Sequence, residues 1–120
     1  MIEVIQNTPP GVKAFKAIGE VTVQDYKQVV EPAAHALIAA KQKIRVVFYI
    51  GPECTGYSRG AKVEDLKLGI TDLRHLKRVA VVSDQAFVHN AVKKVRWMVP
   101  TKLKLFTVAQ YGEAMRWAAS

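Results

Sequence analysis

The sequence predicts an α/β fold with a mixed, mostly parallel five-stranded sheet and four helices, in the order β-β-α-β-α-β-α-β-α. Three observations lead to this prediction. Segments 2–6 and 12–19 are strand-like and are joined by a Thr-Pro-Pro-Gly turn, which indicates a hairpin. Two continuous apolar runs, 44–50 and 79–83, have the length of strands buried on both faces. Stretches with helical periodicity alternate with these strands, as in an α/β sheet.

The first helix is predicted to begin after Thr22, a favourable N-cap residue. Pro32 falls within this helix and should kink it, because proline lacks the backbone N–H that the helix needs. Apolar residues at helical spacing mark its buried side. They are Tyr26, Val29, Val30, Ala33, Leu37 and Ala40.

The second half of the chain continues the alternation. A loop is predicted over 51–58, and Ser58 at its end suits the N-cap of a second helix. Proline at position 100 ends the third helix, whose core stripe is formed by valines at helical spacing, namely Val88, Val92, Val95 and Val99. The predicted elements after the loop are helices at 61–76, 85–99 and 111–119 and strands at 79–83 and 103–108.

Length and composition favour one domain spanning residues 1–120. Half of the residues are hydrophobic, which is enough for one core. No apolar run reaches the roughly 18 residues that a membrane-spanning helix needs, and the first residues do not resemble a signal peptide. With Cys54 as the one cysteine, these features predict a cytoplasmic protein in a reducing compartment.

The charge is strongly positive and unevenly distributed. The formal net charge is +8, and no acidic residue occurs between Asp84 and Glu113. This bias favours an anionic partner such as phospholipid, nucleic acid or an acidic protein surface. A basic protein with no specific use for its charge is the alternative.

An exposed tryptophan is predicted near the end of the third helix. On a helical wheel Trp97 falls opposite the valine stripe, beside Lys93 and Lys94. A tryptophan ring among ammonium groups is typical of a protein that touches an anionic membrane. Alternatively, Pro100 turns the ring into a groove, or a dimer contact buries it. The residues predicted to contact the membrane or another anion are Lys93, Lys94, Arg96, Lys102 and Lys104.

Apolar residues away from the core stripes of the second and third helices suggest a groove for an apolar or lipid-like ligand. Leu68 lies nearly opposite the core side of its helix, and Phe87 flanks the stripe of the third. Two helices partly covered on both sides would show the same pattern. The predicted ligand-binding residues are Tyr57, Leu66, Leu68, Phe87, Trp97 and Met98.

Signals for catalysis are weak, so the sequence predicts no enzyme, no cofactor and no metal site. The histidines lie on three separate predicted helices and lack the spacing of metal ligands. Ser58 in GYSRG fits the letters of a nucleophile elbow, but it lies too far from the preceding strand, which ends at Ile50. Asp84 follows a buried strand, and we expect it to cap the third helix.

Four segments together resemble the SpoIIAA-like family, a group of small bacterial proteins related to STAS domains. They are GEVTVQDYKQVVEPAAHALIA (19–39), CTGYSRGAKVEDLKLGI (54–70), KRVAVVSD (77–84) and LFTVAQYGEAMRWA (105–118). The resemblance implies a Sec14-like fold with helices mainly on one side of the sheet, a hydrophobic cavity under mobile helices, membrane association and a homodimer. Anti-sigma factor antagonists carry a phosphorylatable serine after an aspartate, whereas IGPECTGYSRG has no aspartate before Ser58. A phosphorylation switch at that turn therefore does not carry over.

The leading hypothesis is a non-enzymatic protein that binds an apolar or lipid-like ligand and associates peripherally with anionic membrane, on the inner face. The alternative is a regulatory module that binds a protein partner, as anti-sigma factor antagonists do, with phosphorylation at Thr55 or Ser58. Nucleic-acid binding ranks third, because no stacking platform or reader motif appears.

Overall fold

A computed structural model describes residues 1–57, 76–96 and 103–120. Its strands are β1 (Ile2–Ile5), β2 (Val12–Ala17), β3 (Gly19–Val21), β4 (Ile44–Tyr49), β5 (Cys54–Tyr57), β6 (Leu76–Val82) and β7 (Leu103–Phe106). Its helices are α1 (Val23–Asp25), which continues through a π-helical segment (Tyr26–Val30) into α2 (Glu31–Ala39), then α3 (Ala86–Arg96) and α4 (Tyr111–Ala119). A 3₁₀ turn (Val108–Gln110) precedes α4.

The central sheet has five strands in the order β1-β2-β4-β6-β7. Strand β1 is antiparallel to β2, and the other neighbours are parallel. The predicted mixed, mostly parallel α/β sheet is therefore confirmed. Strands β3 and β5 form a separate two-stranded parallel sheet.

That small sheet corrects two predictions about segments 12–19 and 51–58. The first segment is not one strand, because Gly19 adopts a φ of +63° and the chain turns there, so that β3 leaves the central sheet. The second segment is not all loop, since β5 runs along β3. Isolated four-residue stretches such as Cys54–Tyr57 become strands only where a partner strand satisfies their backbone groups.

Several predicted boundaries also move. Leu76 is the first residue of β6, paired with Ile44, and not the last residue of a helix. The last strand ends at Phe106, and Val108 begins the 3₁₀ turn. The predicted helix over 61–76 lies outside the described residues apart from Leu76, as do positions 97–99 of the third helix.

One face of the central sheet, the α2/α3 face, is covered by α2 and α3. Large side chains dominate there, and Phe15 stacks on Phe48 with their ring centroids 5.7 Å apart. The helices contribute buried residues from the predicted apolar stripes: Val30, Leu37, Val88 and Val92. Val29 and Ala33 are partly buried, but Ala40 is exposed because α2 has ended by then.

The opposite face, the α4 face, is covered by α4. Ala14 and Ala80 of the sheet meet Ala114 and Ala118 of the helix, and all four are fully buried. Small side chains let the helix backbone approach the sheet closely. Since α4 lies opposite α2 and α3, one of the three longer described helices occupies this face, and the other two share the opposite face, in keeping with helices mainly on one side.

The first helical segment is capped as predicted. The Asp25 N–H donates to Thr22 Oγ1 (3.1 Å), and Asp25 Oδ2 accepts from the Thr22 N–H (3.0 Å). The Met1 ammonium lies 3.1 Å from the same carboxylate oxygen. Burial alone would raise the pKa of Asp25, but the hydrogen bonds from Thr22 and the ammonium outweigh it and lower that pKa.

The interruption expected at Pro32 takes the form of the π-helical segment immediately before α2. Pro32 itself lies in the first turn of α2, where its missing N–H costs little. The helix therefore stays continuous across positions 23–39. Its backbone hydrogen bonds change from the α-helical to the π-helical spacing and back again.

Candidate functional site

The carboxyl edge of the parallel strands is the first place to look for a site, because open α/β sheets bind ligands there. The chain leaves β4 at Tyr49 and passes through Gly51 into the loop before β5. A Cβ at position 51 would lie 2.8 Å from Cε1 of Tyr49, so glycine allows the loop to pass close against that ring. The Tyr49 ring itself packs edge-on against Tyr111 of α4 at 5.5 Å.

Gln85 ties two segments of this edge together. Its side-chain amide nitrogen donates to the carbonyl oxygens of Gly51 (2.5 Å) and Cys54 (3.0 Å). A primary amide nitrogen carries two hydrogens, so one side chain satisfies both carbonyls. The loop after β4 is thereby fixed to the start of α3.

Ser83 and His89 are also engaged in structural hydrogen bonds. Ser83 is fully buried, its N–H donates to the Phe106 carbonyl (2.9 Å), and its Oγ accepts from the Gln85 N–H (3.1 Å). His89 Nε2 lies 2.9 Å from the Ser83 carbonyl oxygen. A carbonyl can only accept, so Nε2 carries the proton in this contact.

Asp84 lies two residues before the first residue of α3, Ala86, so Gln85 directly precedes the helix. Asp84 Oδ1 accepts from the backbone N–H of Val108 at 3.2 Å, which joins the end of β6 to the 3₁₀ turn after β7. The helix begins one residue later than expected, and the Asp84 side chain bonds to the turn after β7.

These polar groups hold the edge together and do not form a reactive centre in the part of the chain that the structure describes. The Cys54 thiol is buried, 3.9 Å from the Gly56 carbonyl oxygen, and a nucleophile must be reachable by its substrate. Ser58 lies outside the described residues. No group of three or more potential metal-binding side chains occurs within the described ranges.

The predicted apolar ligand site can be placed only in part. Phe87 lies on α3, partly buried against the core of the α2/α3 face. Tyr57 ends β5, but its side chain is not among those described. The remaining predicted lining residues lie outside the described residues: Leu66, Leu68, Trp97 and Met98. The ligand site therefore stays a prediction.

The predicted cationic residues are likewise divided. Lys93 is exposed on α3, whereas Lys104 is exposed on β7 and lies over the Phe106 ring of the α4 face, 5.1 Å from its centroid. These two cations therefore belong to opposite faces of the sheet. Lys102 lies outside the described residues, as do the side chains of Lys94 and Arg96.

Sequence reasoning missed a line of cations and aromatic rings on the α4 face, which we call the cation–aromatic line. Arg78 lies over the Trp117 ring at 4.9 Å, Trp117 contacts Phe106 at 5.8 Å, and Lys104 covers Phe106. The alternation of Lys104 and Phe106 along β7 was a visible signal for half of this line. Nothing in the sequence indicated that Trp117, from α4, would join Arg78 to it.

An open cleft of about 410 Å³ lies at the opposite, amino edge of the parallel strands. It is lined by Pro10, Gly11, Gln42, Lys43 and Arg45. Arg45 donates from one Nη atom to the carbonyl oxygens of Ala118 (2.9 Å) and Ser120 (2.5 Å). A guanidinium at the carboxyl end of α4 complements the helix dipole, so Arg45 holds that helix in place.

Comparison with known proteins agrees with this architecture. A family model described as SpoIIAA-like matches residues 12–119. The chain belongs to the SpoIIAA-like family. One similar crystal structure is that of an uncharacterized protein of the DUF3478 family from Shewanella loihica PV-4, which has a SpoIIAA-like fold. It superposes on this chain with a TM-score of 0.67 at 29% sequence identity. The match covers 98% of this chain and 92% of that chain.

A more distant solved structure shares the fold. The anti-sigma factor antagonist SpoIIAA in its unphosphorylated form superposes with a TM-score of 0.55 at 8% identity, covering 89% of this chain and 86% of that chain. No curated protein matches the sequence. Within the described ranges, no helix has the length and apolar character needed to cross a bilayer.

Proposed function

We propose that this SpoIIAA-like protein is a non-enzymatic regulatory module that acts by binding another protein. The observation that carries the proposal is the fold, which an anti-sigma factor antagonist shares over 89% of this chain. The carboxyl edge of the sheet supports this proposal, because Gln85, Ser83 and His89 form hydrogen bonds that hold its loops in place. A surface held rigid in this way loses little entropy on binding a partner.

Exposed side chains at this edge offer the contacts. Thr55 projects from β5, and Glu53 and Asp84 are exposed beside the turns that Gln85 connects. Phosphorylation of Thr55 or Ser58 is part of the proposal, since a phosphate adds about two negative charges and changes which partner surface is complementary.

The first test is reconstitution of a complex. A partner found by crosslinking at native expression level would be purified and mixed with the protein, and light scattering would measure the mass of the product. We expect a stoichiometric complex that Thr55→Arg weakens. Gln42→Arg, an exposed position near the amino edge with the same charge change, should leave binding intact. Failure to form any stoichiometric complex, or equal binding by the two variants, counts against this proposal.

The positive charge favours a second candidate, peripheral association with the anionic inner face of the membrane together with an apolar or lipid-like ligand. Lys93 is exposed, and the acid-free interval between Asp84 and Glu113 surrounds it. Each lysine near an anionic surface contributes about 1 kcal/mol. In vesicle flotation, binding should require anionic lipid, weaken with salt, and fall in Trp97→Ala and Lys93→Gln. Equal flotation with neutral and anionic vesicles argues against it.

The proposed homodimer and retained ligand are tested together by native mass spectrometry of the purified protein. A dimer mass with an additional apolar molecule would support both. A bare monomer would remove both features, and the proposed binding of a regulatory protein partner would still stand.

A further inference from the structure

We infer that the cation–aromatic line is a docking strip for an acidic segment of a partner protein. It comprises Arg78, Trp117, Phe106 and Lys104 on the side of α4 that faces β7. The inference rests on the proposed function, to which it adds a surface and the chemistry of the partner.

The two cations come from neighbouring parallel strands. Lys104 pairs with Ala80, and Arg78 lies two residues before Ala80, so both cations project on the α4 face. From the spacings of a β-sheet, their Cα atoms lie about 8 Å apart. Carboxylates two residues apart in an extended chain are separated by about 7 Å, so one acidic segment can reach both cations.

Aromatic rings hold the cations in position before any partner arrives. The Trp117 ring lies against the Arg78 guanidinium, and the Phe106 ring lies beneath the Lys104 ammonium. Such contacts limit the rotamers of long side chains, which lowers the entropy lost when a carboxylate binds. A guanidinium stacked on a ring can still present its edge to a carboxylate with two hydrogen bonds.

Arg78 also has unused hydrogen-bonding capacity. Its Nε is buried without a hydrogen-bond partner among the residues that the structure describes. A buried charged donor without an acceptor is costly, and a nearby carboxylate offsets that cost electrostatically. Arg78 is partly buried and Lys104 is exposed, so a carboxylate can approach both side chains.

The surrounding charge favours an acidic partner over a basic one. Arg116 is an exposed cation of α4, the helix that carries Trp117, and Glu113 is the acidic residue of that helix. The sequence contains no acidic residue between Asp84 and Glu113. The two cations of the strip and Arg116 therefore outnumber the one carboxylate of α4, and this net positive charge attracts anions and orients their approach.

The aromatic rings decide between an acidic peptide and a nucleic acid. Nucleic-acid binders present free ring faces on which bases stack. Phe106 is only 4% exposed, and Lys104 already covers its ring, while Arg78 covers Trp117. The rings serve as supports for cations, so carboxylates are the ligands that this strip fits.

Fluorescence anisotropy with a labelled polyglutamate peptide tests the inference on the full chain, with a labelled single-stranded oligonucleotide as the competing ligand. The informative variants are Lys104→Gln and Arg78→Gln, compared with Lys27→Gln. Lys27 is exposed on the helical segment that covers the α2/α3 face, so this control loses one charge away from the strip. Circular dichroism of every variant shows whether it folds, and the exposed Lys104 keeps the test valid if Arg78→Gln unfolds.

We expect salt-sensitive peptide binding that weakens about fivefold or more in Lys104→Gln and Arg78→Gln, as the loss of about 1 kcal/mol predicts, and less than about twofold in Lys27→Gln. Equal weakening in all three variants, or tighter binding of the oligonucleotide, overturns the inference. A partner complex that forms normally with Lys104→Gln and Arg78→Gln also overturns it, yet leaves the regulatory function in place.

Discussion

The two faces of the central sheet are closed by opposite means. On the α2/α3 face, large side chains such as Ile44, Phe15 and Leu103 fill the space beneath two helices. On the α4 face, one helix comes close to the sheet through alanines, including Ala80 and Ala114. Large residues fill a wide layer between the sheet and two helices. Alanines instead let a single helix pack close to the sheet, and one helix covers less of the sheet than two.

This difference explains why the cation–aromatic line lies on the α4 face. On the α4 face a single helix covers the middle of the five-stranded sheet. Cations on the strands beside this helix therefore remain accessible to solvent. Arg78 and Lys104 occupy one margin of the α4 face, where aromatic residues support them. The α2/α3 face has no equivalent line among the described residues, because bulky apolar groups occupy the corresponding positions.

The largest effect should come from removing bulk from the α2/α3 face. Ile44 is fully buried, so Ile44→Ala leaves a cavity and should lower the free energy of unfolding by about 2–5 kcal/mol. Chemical denaturation measures this change. Ile44→Val, which removes one methylene, should cost about 0.5–1.5 kcal/mol. A loss below about 1 kcal/mol for the alanine variant would show that this face can collapse around the gap.

Adding bulk to the α4 face should come next. Ala114 is fully buried between α4 and the sheet, so Ala114→Leu forces the helix outward and should cost about 1–3 kcal/mol. Ala119→Leu, at an exposed position of the same helix, is the matched control and should change stability little. If both variants unfold at the same denaturant concentration, α4 does not depend on close approach.

The cap of the helix leading to the α2/α3 face should have a smaller effect, which depends on pH. Asp25→Asn weakens the pairing with Thr22 and the Met1 ammonium and should cost about 1 kcal/mol near neutral pH. The pKa of Asp25 is lower in the folded chain than its ordinary value of 3.8, so its stabilising contribution is present above that value and is lost as the pH falls through the lowered pKa.

Denaturation curves of wild type and Asp25→Asn across the acid range test this assignment. The stability gap between the two proteins should close as the carboxyl group becomes protonated. A gap that stays constant down to the most acidic condition would mean that the charge of Asp25 contributes nothing to the fold.

The smallest effect should appear at alkaline pH on the α4 face. Burial, followed by the nearby Tyr49, raises the pKa of Tyr111 above its ordinary value of 10.0. Its contribution to stability is therefore complete below that value and is lost as the pH rises through the raised pKa. Ultraviolet titration of phenolate absorbance should show a late-ionising component that is lost in Tyr111→Phe. An unchanged titration curve would contradict this.

Periodicity predicted the main strands and the buried sides of two helices well. Val30, Leu37, Val88 and Val92 are buried where the helical spacing placed them, because an apolar stripe can be buried only against the sheet. The continuous apolar run at 44–50 was correctly assigned to a strand covered on both faces. Local pattern suffices where burial alone decides the structure.

The candidate site was less predictable, because its geometry depends on residues far apart in the chain. Gln85 reaches Gly51 and Cys54, more than 30 positions away, and no local pattern distinguishes a bridging glutamine from an exposed one. Aspartate is a favourable helix-capping residue, but the Asp84 carboxylate accepts a hydrogen bond from the backbone N–H of Val108, 24 positions away. The prediction that Trp97 is exposed lies outside the described residues and stays a prediction.

By itself, the sequence determined the α/β class, the position of the main strands along the chain, the strong positive charge and the resemblance to the SpoIIAA-like family. Each of these follows from composition, local periodicity or residue identity. Tertiary structure alone decided that β3 and β5 pair, that α4 takes the opposite face, and that Arg78 and Lys104 meet aromatic rings there. These features arise from long-range packing, which brings together residues whose spacing along the chain carries no signal.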